Sequence, residues 1–126
     1  MPEARVDWRS ARLRKHADYQ RVYRDSRRYS SASMSYFFRA RSKDEPAGTQ
    51  PRVGLTAGRV LGDAVERNRI RRRMREAVRL HLNELPAHVD VVLHPRKTVL
   101  DIEFARLERE VARVFASVAA GAEGKP

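Results

Sequence analysis

Apolar residues recur along this chain with two different periods, and the alternation between them outlines the elements. Tyr19, Val22 and Tyr23 at i, i+3 and i+4 predict a short helix over roughly Ala17–Asp25. From Met34 to Arg41 the period drops to two: Met34, Tyr36 and Phe38 point one way, Ser35, Phe37, Arg39 and Arg41 the other, the mark of a strand. A polar loop over 42–51 ends in Pro51. A second strand is predicted over Arg52–Ala57, with Val53, Leu55 and Ala57 facing the core, and Gly58 to Gly62 make a turn. The clearest helix begins at Ala64 or Glu66 and runs to Asn83, with Ile70, Met74, Ala77, Val78 and Leu82 as its apolar stripe and Pro86 as its stop. Val89–His94 reads as a third strand ended by Pro95. A last amphipathic helix, N-capped near Asp101, buries Phe104, Leu107, Val111, Val114, Phe115 and Val118.

The predicted order is αββαβα: a single α+β domain over residues 1–126, with helices covering one side of a small sheet. Residues 1–14 show no period and many arginines, and are expected to form a basic arm. Residues 119–126 are expected to be a frayed tail.

Charge changes the picture from fold to partner. The chain has 27 Lys+Arg against 16 Asp+Glu, a formal net charge of +11. Such an excess repels itself in a compact chain and calls for a polyanion. It is also uneven: residues 1–28 hold nine basic and four acidic side chains, residues 52–79 nine and three, and residues 98–126 four and five. Cysteine is absent, which removes disulfides and thiolate metal sites. With no apolar run of signal-peptide or membrane-spanning length, the expected location is the cytoplasm, with no membrane partner.

Arg67-Asn68-Arg69-Ile70-Arg71-Arg72-Arg73-Met74-Arg75-Glu76-Ala77-Val78-Arg79 places seven arginines in thirteen residues. On a helical wheel Asn68, Arg69, Arg72, Arg75, Glu76 and Arg79 lie opposite the apolar stripe, with Arg71 and Arg73 on the flanks. Arginine suits phosphate because its planar fork grips two oxygens at once. A typical charged face is merely solvated, but here only Glu66 and Glu76 offset seven arginines, so internal pairing does not account for it. Nucleic acid is the expected partner.

Arg52-Val53-Gly54-Leu55-Thr56, followed by Gly62-Asp63-Ala64-Val65-Glu66-Arg67-Asn68-Arg69-Ile70-Arg71-Arg72, resembles the signature of the bacterial ribonuclease P protein family, with likeness from about Leu13 to Phe115. The resemblance implies a left-handed βαβ crossover, a fold shared with a ribosomal-protein domain. It also implies a role as protein component: binding the catalytic RNA subunit and the 5′ leader of precursor tRNA while that RNA, with Mg2+ bound mainly by the RNA, removes the leader. By the same resemblance Arg67, Asn68, Arg69, Arg71, Arg72 and Arg75 meet the RNA subunit. Tyr19, Tyr23 and Phe37, with Arg39 and Arg59, line a cleft for the single-stranded leader, and a metal lies near the Asn68 position. Base stacking and backbone charge are what single-stranded RNA requires, and Phe37 shares a strand face with Arg39 and Arg41. Simple packing of a short helix is the competing account of Tyr19 and Tyr23. One departure stands out: Gly58-Arg59-Val60 occupies the place of a Ser-Lys-Lys-like run, and only Arg59 keeps its charge.

His16, His81, His88 and His94 show no ligand or triad spacing, and no catalytic residue or metal ligand is assigned. The chain alone is expected to be inactive and to need no obligate protein partner. A structural RNA-binding protein would share the charge without the aromatic cleft. A protein-only nuclease would need a carboxylate cluster, and Asp63, Glu66 and Glu76 are the only acids near the basic helix.

Overall fold

The computed structural model describes residues 7–45 and 48–123. It holds four helices, α1 (Trp8–Ala11), α2 (His16–Asp25), α3 (Ala64–His81) and α4 (Phe104–Glu123), and four strands, β1 (Tyr29–Ser30), β2 (Met34–Ala40), β3 (Arg52–Leu55) and β4 (Val89–Pro95). The strands form one sheet in the order β1-β2-β4-β3. β2 runs antiparallel to β4, from Met34 opposite Pro95 to Ala40 opposite Val89. β3 runs parallel to β4, Val53 beside Val91 and Leu55 beside Leu93, so α3 is the crossover of a βαβ unit.

The alternation of β4 decides the layering. Val89, Val91 and Leu93 face the main core, packed with Ile70, Met74, Ala77 and Val78 of α3 and Leu107, Val111, Phe115 and Val118 of α4. Val92 faces the other way, into a smaller cluster with Leu13 and Val22, against which Tyr19, Tyr23 and Phe37 pack. Helices therefore lie on both faces of the sheet. The expectation of one covered side fails because α2 contributes a single fully buried aliphatic residue, Val22, and its stripe is otherwise tyrosine.

Two boundary readings also change. The region 8–14 is not an arm: α1 is helical, Ala11 is fully buried, and the Leu13 amide donates to the Val53 carbonyl at 2.9 Å. Two apolar residues two apart are too short a pattern to register against flanking arginines. The remainder of the predicted arm, residues 1–6, lies outside the described residues. At the other end α4 continues past 119 to Glu123, with Ala122 packed on the core; 124–126 lie outside the described residues. Asp101 does not cap α4. It closes a 3-10 turn over Lys97–Leu100, and α4 begins at Phe104. The periodicity also gives no sign of β1, whose two residues are too few for any pattern.

Candidate nucleic-acid interface

The geometry of α3 starts at its N-terminus. The Asp63 carboxylate accepts from the Glu66 amide at 2.9 Å, and the Glu66 carboxylate accepts from the Asp63 amide at 3.1 Å, a reciprocal capping box. Gly62, just before it, holds φ +124°, and a Cβ there would meet the Glu66 carboxylate. These interactions set the phase of the helix, and the stripe of Ile70, Met74, Ala77 and Val78 then turns the opposite face outward.

On that face Asn68, Arg69, Arg72, Arg75 and Arg79 are exposed, while Arg67 and Arg71 are half-buried. Arg79 is paired to Glu76 at 2.6 Å one turn away, a solvated pair that removes one charge from the set. Arg73 turns inward: its guanidinium donates to the Val99 carbonyl at 2.8 Å and to the Ile102 carbonyl, tying the segment before α4 to α3. The six residues assigned to RNA-subunit binding thus sit on one helix, with Arg69, Arg72 and Arg75 presented directly to solvent. Asn68, Arg71, Arg72 and Arg75, with Val65, line a hollow of about 480 Å3.

The aromatic residues assigned to the leader come together on the opposite face of the sheet. Tyr23 and Phe37 meet edge to face with centroids 5.0 Å apart, and Phe37 lies 5.2 Å from the His94 ring. The Tyr23 hydroxyl and His94 Nε2 are hydrogen-bonded at 2.8 Å. Burial pushes the His94 imidazole below its ordinary range and nearby Arg28 adds to the effect, so the ring is neutral at pH 7. Burial likewise pushes the Tyr19 and Tyr23 phenols up. Tyr19 lies against β3 and donates to the Leu13 carbonyl at 3.3 Å. Gly54 permits that approach, since a Cβ there would sit 2.7 Å from the Tyr19 ring.

Arg39 does not join these aromatics as a free charge. Its guanidinium is forked onto Glu45 at 2.8 and 3.2 Å, reaches Asp25 at 3.1 Å and is 13% exposed. Arg41, on the same strand face, is fully buried and bound to Asp90 at 2.6 Å, and Arg52 joins the same carboxylate at 2.8 and 2.9 Å. Sequence reasoning missed Asp90 as the anchor of this network. The available signal was an acid inside the otherwise apolar run Val89–Leu93. Arg59 is exposed on the 3-10 turn Arg59–Leu61, in the connection between β3 and α3 and away from α2 in the chain.

A metal finds little here. Asn68 Oδ1 already accepts from Arg71 at 2.9 Å, and arginines rather than carboxylates surround it. Among the described residues no group of three or more His, Cys, Asp or Glu side chains is placed to hold a metal ion, and no helix is long and apolar enough to cross a membrane. His81 lies between Glu84 and Glu108, a structural bridge from the end of α3 to α4.

A four-stranded sheet, a parallel crossover and a crossover helix whose outward arginines outnumber nearby acids define a basic α+β protein suited to a polyanion. Comparison with known proteins makes the class specific: the family described as Ribonuclease P matches residues 8–119. The ribonuclease P protein component of Finegoldia magna is 35% identical over 106 residues, covering 84% of this chain and 88% of the relative. That of Symbiobacterium thermophilum is 37% identical over 105 residues, 82% and 87% of the two chains. Among solved structures, the Thermotoga maritima ribonuclease P protein superposes with a TM-score of 0.71 at 22% identity, covering 84% of this chain and 96% of the other. The Staphylococcus aureus ribonuclease P protein gives 0.69 at 24% identity, covering 86% and 94%. The chain belongs to the ribonuclease P protein family, the protein components of an endoribonuclease whose RNA subunit does the chemistry.

Proposed function

We propose that this chain grips the ribonuclease P RNA through the outer face of α3 and steadies the 5′ leader of precursor tRNA on the aromatic face between α2 and β2. Asn68, Arg69, Arg72 and Arg75 supply the exposed groups for the RNA subunit, with Arg67 and Arg71 at their flank. Tyr19, Tyr23 and Phe37 offer partly exposed rings to an unstacked strand, and Arg59, exposed on the turn between β3 and α3, adds charge for the same strand. Arg39 acts indirectly, by tying β2 to Glu45 and Asp25. The RNA subunit and the Mg2+ it carries cut the phosphodiester in the cytoplasm, and the protein contributes affinity and position.

The observation that carries this reading is the contrast between two sets of arginines. Those at the Asp90 end of the sheet are matched by carboxylates, while Arg69, Arg72 and Arg75 have no carboxylate within ion-pair distance among the described residues. The test is cleavage of a precursor tRNA by a bacterial ribonuclease P RNA at low Mg2+. Addition of the protein restores cutting at the mature 5′ end, and the protein without RNA cuts nothing. Restored cleavage that survives removal of Tyr23 and Phe37, with leader affinity unchanged, would remove the leader role. A folded protein that binds the RNA without restoring cleavage would reduce the function to structural RNA binding.

A further inference from the structure

A second hollow, of about 490 Å3, lies between the N-terminal segment, β3 and α3, within the range of small-ligand sites. Trp8 and Tyr19 line it together with Arg12, Arg14, Arg71 and Arg75, and among the described residues no acidic side chain does. We infer that this hollow is a binding site for one unstacked nucleotide of RNA, with the base against Trp8 and Tyr19 and the phosphates on the four arginines. The inference rests on the proposed function, in which Tyr19 belongs to the leader face and Arg71 and Arg75 to the RNA-subunit face, and extends it to residues from α1 and the segment after it.

The four arginines carry charge that the chain leaves uncompensated. Arg14 donates to the Arg9 carbonyl at 3.2 Å, and Arg71 to Asn68 at 2.9 Å and the Ala57 carbonyl at 3.4 Å, all neutral acceptors. Arg12 and Arg75 are exposed, with no ion pair among the described residues. Four like charges around one hollow repel one another in the free protein and favour an anion. At the Asp90 end of the sheet, by contrast, the half-buried Arg39 and Arg52 are paired with Glu45, Asp18 and Asp90.

The aromatic residues narrow the anion to a nucleotide. A phosphate on a duplex would use the arginines but has no base face to offer Trp8, whereas an unstacked nucleotide uses both. Trp8 is half-buried and packs in part on the main core, so its ring is held rather than free to swing. The docking of Arg12 beside Val53 and the Leu13–Val53 hydrogen bond hold the segment that carries Arg12 and Arg14 in place. Arg71 and Arg75 also line the hollow on the outer face of α3, so an RNA strand on that face continues into this site without leaving the protein.

Trp8 is the only tryptophan of the chain and therefore its own reporter. The full-length protein is titrated with a short single-stranded RNA, a base-paired hairpin of equal length and polyglutamate, reading Trp8 emission. The expected result is saturable quenching by the single strand, weak response to the hairpin and none to polyglutamate. Arg12→Gln and Arg75→Gln raise the concentration needed for quenching. Trp8→Ala weakens binding of ribonuclease P RNA by roughly 5- to 150-fold, the range for removal of one base–aromatic stack, and Trp8→Phe recovers part of it. If Trp8→Ala melts early, the Arg12→Gln and Trp8→Phe results decide alone. Unchanged Trp8 emission, in a protein that still binds ribonuclease P RNA and restores cleavage, overturns the nucleotide site and leaves the proposed function standing. Equal quenching by hairpin or polyglutamate overturns it as well. Failure of the wild-type protein both to bind the RNA and to rescue cleavage would instead bring down the underlying reading.

Discussion

Replacing Asp90 with alanine tests whether the far end of the sheet is held by charge. Asp90 is fully buried and accepts from Arg41 at 2.6 Å and twice from Arg52 at 2.8 and 2.9 Å, with Arg39 at 3.8 Å. Removing one member of a buried ion pair costs about 3–5 kcal/mol, because the surviving charge is left without a partner. Here the survivors differ. The Arg41 side chain is 0% exposed and cannot rehydrate, while those of Arg52 and Arg39 are 17% and 13% exposed and recover part of their solvation. Arg41 keeps carbonyl partners at Val89, Gly48 and Gln50, which limits the damage at its Nη atoms. The destabilisation should therefore fall at about 3–4 kcal/mol, a large share of the roughly 5–15 kcal/mol typical of a domain. In urea melts followed by circular dichroism, with m near ~1.5–2 kcal/mol/M, the midpoint drops by about 2 M. Asp90→Asn keeps the shape and one acceptor and should cost about half as much. Adding Arg41→Met to Asp90→Ala should cost less than Arg41→Met alone, the signature of coupling. A destabilisation below about 1 kcal/mol for Asp90→Ala, with m unchanged, would refute the claim that this carboxylate anchors the sheet.

Three further outcomes follow from the same geometry. Arg39 holds the Glu45 carboxyl down to about 2 from its ordinary 4.5, so the folded form stays ionised where the unfolded chain takes up a proton. That stability is whole above pH 4.5 and is lost as pH falls from there toward 2, and Arg39→Met should flatten this part of the melt-versus-pH curve. His94 has a lowered pKa from burial, so its contribution is complete above 6.5 and declines as pH falls below that; His94→Gln should remove this slope in melts between about pH 7.5 and 5.5. Arg72→Gln with Arg75→Gln should leave stability within ~0.5 kcal/mol and reduce the slope of log affinity against log salt by roughly 0.7–0.9 for each phosphate no longer neutralised.

How much was legible in the sequence varies with the kind of signal. The stripe of α3 and its opposed arginines were readable because Ile70, Met74, Ala77 and Val78 repeat over several turns. β2 and β4 were readable from alternation and from an apolar run. The docking of Trp8–Leu13 was not, because its burial depends on a hydrogen bond to Val53, forty residues away, and on Trp8, Ala11 and Leu13, too few apolar side chains to show a period. The same holds for the candidate site. Aromatic residues at i and i+4 suggested the α2 face, but the pairing of Arg39 with Glu45 and of Arg41 with Asp90 depends on strand register, which composition does not reveal. Counting basic residues overstates the charge offered to a partner, since three of the arginines between 39 and 52 are occupied by acids of the chain itself.

The ends of the sheet have a consequence for behaviour at high concentration. A strand with a bare edge is a template on which a second copy can add its own strand, the first step of many aggregates. One margin here is β1, only two residues long, and the other is β3, four residues long and flanked at Val53 by the bridge from Arg12 and the amide of Leu13. Neither margin offers the long, flat ladder that such growth requires. A shortened chain beginning after Leu13 would uncover the Val53 carbonyl along with Tyr19 and the small cluster beneath it, and its solubility would report the protection that the segment from Trp8 to Leu13 confers.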